Sequence, residues 1–259
     1  MGIELIVSGA AGRLGQRVVA LAAASPDLNV VGALVRAGSA ASAQPSASTA
    51  LEPLLKRGRV LVEMAPRPVA LEHARQAAEA GVAVLVATTG FSPAERAEIE
   101  GLGAKVPVLL AANLSMGVAV LTELVRQASA ALPGFDLELV EIHHNQKKDA
   151  PSGTAWALAR AAAEARGQNI DDDAILARAG DVGARGKREI GIQSLRGGNV
   201  IGEHTLYLIG GSERLELSHR AQTRDVFAEG ALVAARFLGT PGRAAQPYTM
   251  RDVLQLGGP

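Results

Sequence analysis

The run Gly9-Ala10-Ala11-Gly12-Arg13-Leu14-Gly15 constrains this chain more than any other stretch. It follows directly on residues 3–8, a short apolar segment dense in β-branched residues. It opens residues 13–24, where Leu14, Val18 and Leu21 recur at helical spacing on one stripe. Residues 29–35 (NVVGALV) then read as a second buried strand. Strand, glycine turn, helix and strand in this order make a βαβ unit, which predicts a parallel sheet. The glycine spacing, G-x-x-G-x-x-G, is a variant of the dinucleotide fingerprint. A turn without side chains lets backbone N–H groups and the positive end of a helix meet a pyrophosphate. The same glycines also suit a tight strand-to-helix turn that binds no nucleotide.

Alternation of strand and helix continues to about residue 113. A third strand is expected within 54–63, near 60–62. A helix over 71–80 ends at Gly81, and a buried strand follows over 82–87. Ser92 as N-cap, with Pro93 and Glu95 behind it, starts another helix, and 106–111 is the next strand. Residues 37–50 are small, polar and aperiodic, the pattern of a flexible surface loop. Beyond 113 the texture changes. A helix over 118–131 precedes residues 136–143 (DLELVEIH), which alternate like a strand with one solvated face. Strand-like pieces follow at 189–194, 200–201, 204–209 and 214–218, then a helix over 225–238. The expected fold class is α/β. A Rossmann-like dinucleotide-binding domain occupies 1–114, and an α+β domain with a mixed or antiparallel sheet occupies 115–223.

Composition narrows the partners. The chain has 26 Lys+Arg against 26 Asp+Glu, a formal net charge of zero, which argues against nucleic acid or a membrane surface as partner. Cysteine is absent, so disulfides, thiolate nucleophiles and Cys-based metal sites are excluded. With 48% hydrophobic but only 3% aromatic residues, the core must be built from Ala, Val, Leu and Ile. No stretch approaches the roughly 18 apolar residues of a membrane span. Glu4, Arg13 and Arg17 do not suit a secretory leader, so a soluble, cytoplasmic protein is expected.

The residue ending the second strand bears on the nucleotide. A carboxylate there would grip the ribose 2′-hydroxyl of NAD; the chain instead has Val35 followed by Arg36. A guanidinium holds a 2′-phosphate by charge and paired N–H donors, so NADPH is favoured, with NADH still usable. An ordinary solvated arginine at a strand end would look the same.

The densest chemistry lies at 141–155, where Glu141, His143, His144, Lys147, Lys148 and Asp149 run into Pro151-Ser152-Gly153-Thr154. Histidine suits proton transfer near neutral pH, and lysine suits proton donation or anion binding. Ser152, Gly153 and Thr154 precede an apolar helical run, so their hydroxyls and N–H groups can receive a carboxylate at a helix N-terminus. A polar loop with a capped helix is the plainer alternative. Neighbouring strand residues face opposite ways, so His143-His144 is not a metal-ligand pair, and no metal is expected.

The segment HHNQKKDAPSGTA at 143–155 resembles the HHxxKxDAPSGTA signature of the 4-hydroxy-tetrahydrodipicolinate reductase (dihydrodipicolinate reductase) family. The resemblance extends through GAAGRLG, ATTGFS at 87–92, AANLSMG at 111–117, RGGNVIGEHT at 196–205, LSHRAQTRDVFAEGA at 217–231 and MRDVL at 250–254. It implies that His143 and Lys147 are the proton-handling catalytic residues and that His144, Gly153 and Thr154 bind substrate. Gly9, Ala10, Ala11, Gly12, Arg13 and Leu14 match the family's pyrophosphate loop, and Arg36 its 2′-phosphate position. Ala87, Thr88 and Thr89, with Ala111, Ala112, Asn113 and Leu114, match two loops on the nicotinamide side. The resemblance further implies a small cyclic dicarboxylate as substrate, a homotetramer joined through the second domain's sheet, and a return of 224–259 to the cofactor domain.

The chain departs from the family pattern at three places: Val35 for an acidic residue, Glu63-Met64-Ala65 for D-F-[ST], and Ala87 for the glycine of G-T-T. They bear on cofactor choice and rate, and leave the reaction class intact. Two rivals share the glycine loop: another NAD(P)-dependent two-domain dehydrogenase and a non-catalytic NADPH-binding protein. Neither needs His143, Lys147, Gly153 and Thr154 together.

Overall fold

The structure, a computed structural model, describes residues 2–38 and 47–256. The chain divides into two compact units, Met1–Met116 with Arg224–Pro259, and Gly117–Thr223.

In the first unit, β1 (Ile3–Ser8), α1 (Arg13–Ala23) and β2 (Leu28–Leu34) form the opening βαβ unit. Then come β3 (Ala47–Ser48), α2 (Glu52–Leu55), β4 (Val60–Glu63), α3 (Arg67–Glu79), β5 (Ala83–Val86), α4 (Pro93–Gly101) and β6 (Val108–Leu110). The strands align in the order β3-β2-β1-β4-β5-β6, and every pair is parallel. The chain leaves β1 toward β2 on one side and later resumes at β4 on the other. That reversal opens a crevice beyond the carboxyl ends of β1 and β4. Burial on both faces explains why these strands read as unbroken apolar runs. Ile6, Leu61, Val84, Val86 and Val108 pack with Ala70, Ala74 and Ala77 of α3 and Ile99 of α4. Their alternates Leu5, Val7, Val62, Leu85 and Leu109 are equally buried. Small alanines let helices approach a sheet that has few aromatics to fill space.

Sequence and structure differ locally here. Residues 54–55 belong to the helical turn α2 rather than to the third strand, because Pro53 supplies a preset helical φ in the first turn. Helix α3 begins at Arg67, four residues early, behind Pro66. Of the expected surface loop 37–50, residues 39–46 lie outside the described residues, and Ala47–Ser48 pairs with β2 as an edge strand. Ser92 caps α4 in a full capping box with Glu95.

The second unit opens on α5 (Met116–Ala131), β7 (Asp136–His143), α6 (Gly153–Ala165), α7 (Ile170–Asp173) and β8 (Ala174–Ile175), followed by β9 (Ile190–Arg196), β10 (Glu203–Ile209) and β11 (Arg214–Arg220). Its sheet has the order β11-β10-β7-β9-β8, with β10 antiparallel to both neighbours and the rest parallel. Leu137 and Leu139 of β7 pack with Ile190, Ile192, Leu206, Leu208 and the α6 residues Leu158 and Ala162. Residues 200–201 form no strand; they lie in the connection into β10.

The chain then returns to the first unit through α8 (Asp225–Leu238), β12 (Pro247–Tyr248) and α9 (Met250–Val253). Strand β12 extends the first sheet parallel to β6. Arg17 holds Asp225 at 2.6 Å, and Arg236 holds Asp27 at 2.6 Å. Helix α8 crosses close to the loop after β6: a Cβ at Gly230 would collide with the Leu114 carbonyl. We expect Gly230→Ala to destabilise the protein by about 1–3 kcal/mol through overpacking against backbone. Urea unfolding measures this, and a loss below about 0.5 kcal/mol would show that the loop yields freely.

Candidate active site

The cofactor side is built where parallel strands end. The loops after β1, β2, β5 and β6 all leave one edge of the first sheet, so Gly9–Leu14, Arg36, Ala87–Thr89 and Ala111–Leu114 share that edge. Gly9 has φ +72°, and a Cβ on it would lie 2.8 Å from the Met64 carbonyl carbon and oxygen. Its N–H and that of Ala10 both donate to Leu34 O, at 3.1 and 3.2 Å. Gly12 is the N-cap of α1 and offers no side-chain cap, and Gly15 lies too close to Gly9 O to carry a side chain. The first N–H groups of α1 have no acceptor within the helix. This cradle fits a pyrophosphate: a side chain at Gly9 or Gly15 would collide with backbone, and the N-cap adds none.

The other loops are held by backbone. Ala87 N–H donates to Glu63 O, Ala111 N–H to Val86 O, and Thr88 Oγ to Ala65 O at 2.7 Å. Val35 is buried, and Arg36 beyond it is exposed. Glu63, one of the three departures, is wholly buried at the end of β4. Its carboxylate accepts from Ala65 N–H at 2.6 Å and meets His73 Nδ1 at 2.7 Å, with Ser8 Oγ 3.1 Å from the same nitrogen. Both partners use one ring nitrogen, so this cluster cannot pass a proton from serine through histidine.

In the second unit, β7 turns from core to chemistry along one face. Its buried positions run Leu137, Leu139, Glu141, His143, two residues apart, as the pleat requires. Glu141 hydrogen-bonds His143 Nδ1 and receives Ser152 N–H at 3.3 Å. Arg196, opposite His143 across β9, donates to both Glu141 oxygens at 3.0 and 2.8 Å. His204, opposite Glu141 on β10, meets Ser152 Oγ through Nε2 at 3.1 Å and packs edge-on against His143, ring centroids 5.3 Å apart. The free edge of His143 faces Gly202, where a Cβ would lie 3.0 Å from Nε2. Lys147 donates to both carboxylate oxygens of Asp149 at 2.9 Å.

These neighbours set the charges. Burial works to raise Glu141, but hydrogen bonds from Arg196, Ser194 and His143 hold it below the usual carboxylate range. Burial lowers His143; Glu141 opposes this, and Lys147 and Arg196 assist it, so the ring lies below the ordinary imidazole value. Burial, with His143 beside it, pushes His204 down to about 4. This direction favours the uncharged ring, in which an Nδ1–H directed at Glu141 leaves Nε2 as an acceptor.

His144 lies just beyond β7 and is half-buried. Gly153 and Thr154 form the first turn of α6, Gly153 exposed and Thr154 half-buried. Ser152 departs from its sequence reading. Its hydroxyl is buried, accepts from Ala155 N–H as the helix cap and faces His204, so it is not presented to a ligand. Sequence reasoning assigned no role to Glu141, Arg196 or His204. The two-residue step from Glu141 to His143 on one strand face was a usable signal; the pairings with Arg196 and His204 cross strands. Among the described residues no group of three metal-ligating side chains is assembled. No helix among them is long and apolar enough to cross a membrane.

A glycine-lined crevice on one unit, and a buried Glu141–His143 pair beside Lys147 on the other, suit the chemistry of an NAD(P)H-dependent oxidoreductase. Residues 3–114 match the family model described as dihydrodipicolinate reductase, N-terminus, and residues 117–254 the one described as dihydrodipicolinate reductase, C-terminus. The chain belongs to the dihydrodipicolinate reductase family. The 4-hydroxy-tetrahydrodipicolinate reductase of Anaeromyxobacter dehalogenans (strain 2CP-C) is 44% identical over 98% of each chain. That of Myxococcus xanthus (strain DK1622) is 42% identical over 97% of each. Among solved structures, dipicolinate-bound dihydrodipicolinate reductase from Paenisporosarcina sp. TG-14 shares the fold. Its TM-score is 0.80 at 23% identity, covering 96% of this chain and 98% of that one.

Proposed function

We propose that this chain reduces 4-hydroxy-tetrahydrodipicolinate, by way of dihydrodipicolinate, to tetrahydrodipicolinate in the lysine and diaminopimelate route, with NADPH preferred over NADH. The observation that carries the reading is the buried His143, hydrogen-bonded to a buried Glu141, on the strand that leads into Lys147 and the N-terminus of α6. Reduced nicotinamide, when bound, supplies the hydride. Gly9–Leu14 hold its pyrophosphate, Arg36 its 2′-phosphate, and Ala87–Thr89 with Ala111–Leu114 line its nicotinamide side.

The substrate is a small dianion, so it needs local positive charge in a chain of zero net charge. Backbone N–H groups of Gly153 and Thr154 receive one carboxylate at the helix terminus, and His144 makes a further polar contact. Lys147 Nζ carries the proton that completes the reduction, and His143 Nε2 accepts hydrogen bonds and exchanges protons beside it. Residues 1–114 with 224–259 serve the cofactor, and 115–223 serve substrate and assembly. A homotetramer is supported by the outer face of the second sheet, where Leu195 and Ile209 are 46% and 38% exposed. On this reading the enzyme works in the cytoplasm.

The test supplies the purified protein with freshly made product of the preceding synthase and follows reduced-nicotinamide absorbance. Steady loss is expected; none would overturn the reading. In the same assay Arg36→Leu raises KM for NADPH by about tenfold or more and leaves NADH nearly unchanged, because a charge-assisted contact to the 2′-phosphate is lost. Equal effects on both cofactors would count against Arg36.

A further inference from the structure

We propose that Arg196 is the positioning residue that holds both candidate catalytic groups at once, His143 through Glu141 and Lys147 through the backbone of Asp149. The inference rests on the roles given above to His143 and Lys147.

The planar guanidinium makes four hydrogen bonds. Two go to the Glu141 oxygens at 3.0 and 2.8 Å, one from Nη2 to Asp149 O at 2.7 Å, and one from Nη1 to Leu195 O at 2.6 Å. Residues 141 and 149 are thereby clamped to one rigid fork. On the first arm, Glu141 is fully buried and grips His143 Nδ1. A buried carboxylate needs a cation beside it. With Arg196 present that cation is the guanidinium, so Glu141 can orient the imidazole without having to protonate it. On the second arm, the residue whose backbone Arg196 holds is the one whose carboxylate takes both hydrogen bonds from Lys147 Nζ. The strand ladder reinforces the link: Arg196 is the register partner of His143, and Gly197 N–H donates to His143 O at 3.0 Å. Charged and titratable groups around His143 are Glu141 on its own strand, Arg196 on β9, His204 on β10 and Lys147 on the following loop.

The experiment compares Arg196→Gln, Arg196→Lys and the double variant Arg196→Gln/Glu141→Gln with the parent. The His143 imidazole titration is followed by NMR on the full chain without substrate, and steady-state kinetics are measured separately. In Arg196→Gln the His143 midpoint should rise by about one unit or more, because the buried carboxylate then recruits the imidazole as its cation. Its kcat should fall by about a hundredfold, with KM for the cofactor little changed. Arg196→Lys should return the midpoint toward the parent value yet leave kcat depressed, since a single ammonium cannot hold both arms. Removing both charges should abolish the upward shift. If Arg196→Gln does not fold, Arg196→Lys carries the test alone: a depressed kcat at a near-parent midpoint is expected, and full activity overturns the proposal. An unmoved midpoint in folded Arg196→Gln, or full activity in Arg196→Lys, would overturn the proposal. An inactive parent would sink the proposed reaction but not the titration result, so the two failures are separable.

Discussion

Replacing Lys147 with methionine lowers kcat by about 10²–10⁴-fold while NADPH binding stays within about twofold. Methionine keeps most of the stem and removes the ammonium, so the change is chemical rather than steric. The fold should tolerate it. The partner Asp149 is 61% exposed, and exposed ion pairs contribute at most about 1 kcal/mol. His143→Asn has a similar effect on turnover. Combining the two should cost little more than either alone, as expected of groups that act as one unit. The pH dependence follows from burial of the ring. His143 lies below its ordinary value, so the neutral form persists through pH 7, and the acid limb of kcat/KM falls below about 6.5. Stopped-flow turnover, with fluorescence titration of NADPH, checks both parts. A correctly folded double variant that retains activity would remove His143 and Lys147 from the chemistry.

Gly9→Ala is expected to weaken NADPH binding by about tenfold or more and to lower Tm. A positive φ costs an L-residue roughly 1–2 kcal/mol, and here the added methyl also meets the Met64 peptide at 2.8 Å. That peptide has little freedom to retreat, since Glu63 holds Ala65 N–H and Thr88 holds Ala65 O. Strain in the free protein and displacement of the phosphate loop therefore coincide. Calorimetric titration with NADPH, beside thermal unfolding, separates them. Unchanged affinity at lowered Tm would mean that the loop reforms around the methyl on binding.

Local patterns were legible where local physics sets them. Asp136–His143 and Asp225–Leu238 have the expected bounds, because strict alternation and an apolar stripe at helical spacing each admit one reading. Residues 54–55 and 200–201 did not, since short apolar pairs satisfy helix, strand and loop alike until packing decides. Ser152 shows the same limit at the site. Its hydroxyl suits a ligand or a helix cap, and the need of Ala155 N–H for an acceptor chose the cap.

By itself the sequence determined the βαβ start, the parallel sheet, a core built mainly from aliphatic residues and the family, because periodicity and the order of motifs are properties of the chain alone. It also marked out His143 and Lys147. What only the tertiary structure decided is how those two are held. Arg196 is 55 residues from Glu141, and His204 is 52 from Ser152. Strand register sets Arg196 and His204 beside β7, and the start of α6 brings Ser152 to His204; register is settled by burying one face of a sheet rather than by any local preference. The charge state of His143 follows from that burial, since a ring taken out of water beside an already neutralised carboxylate has little reason to hold a second proton.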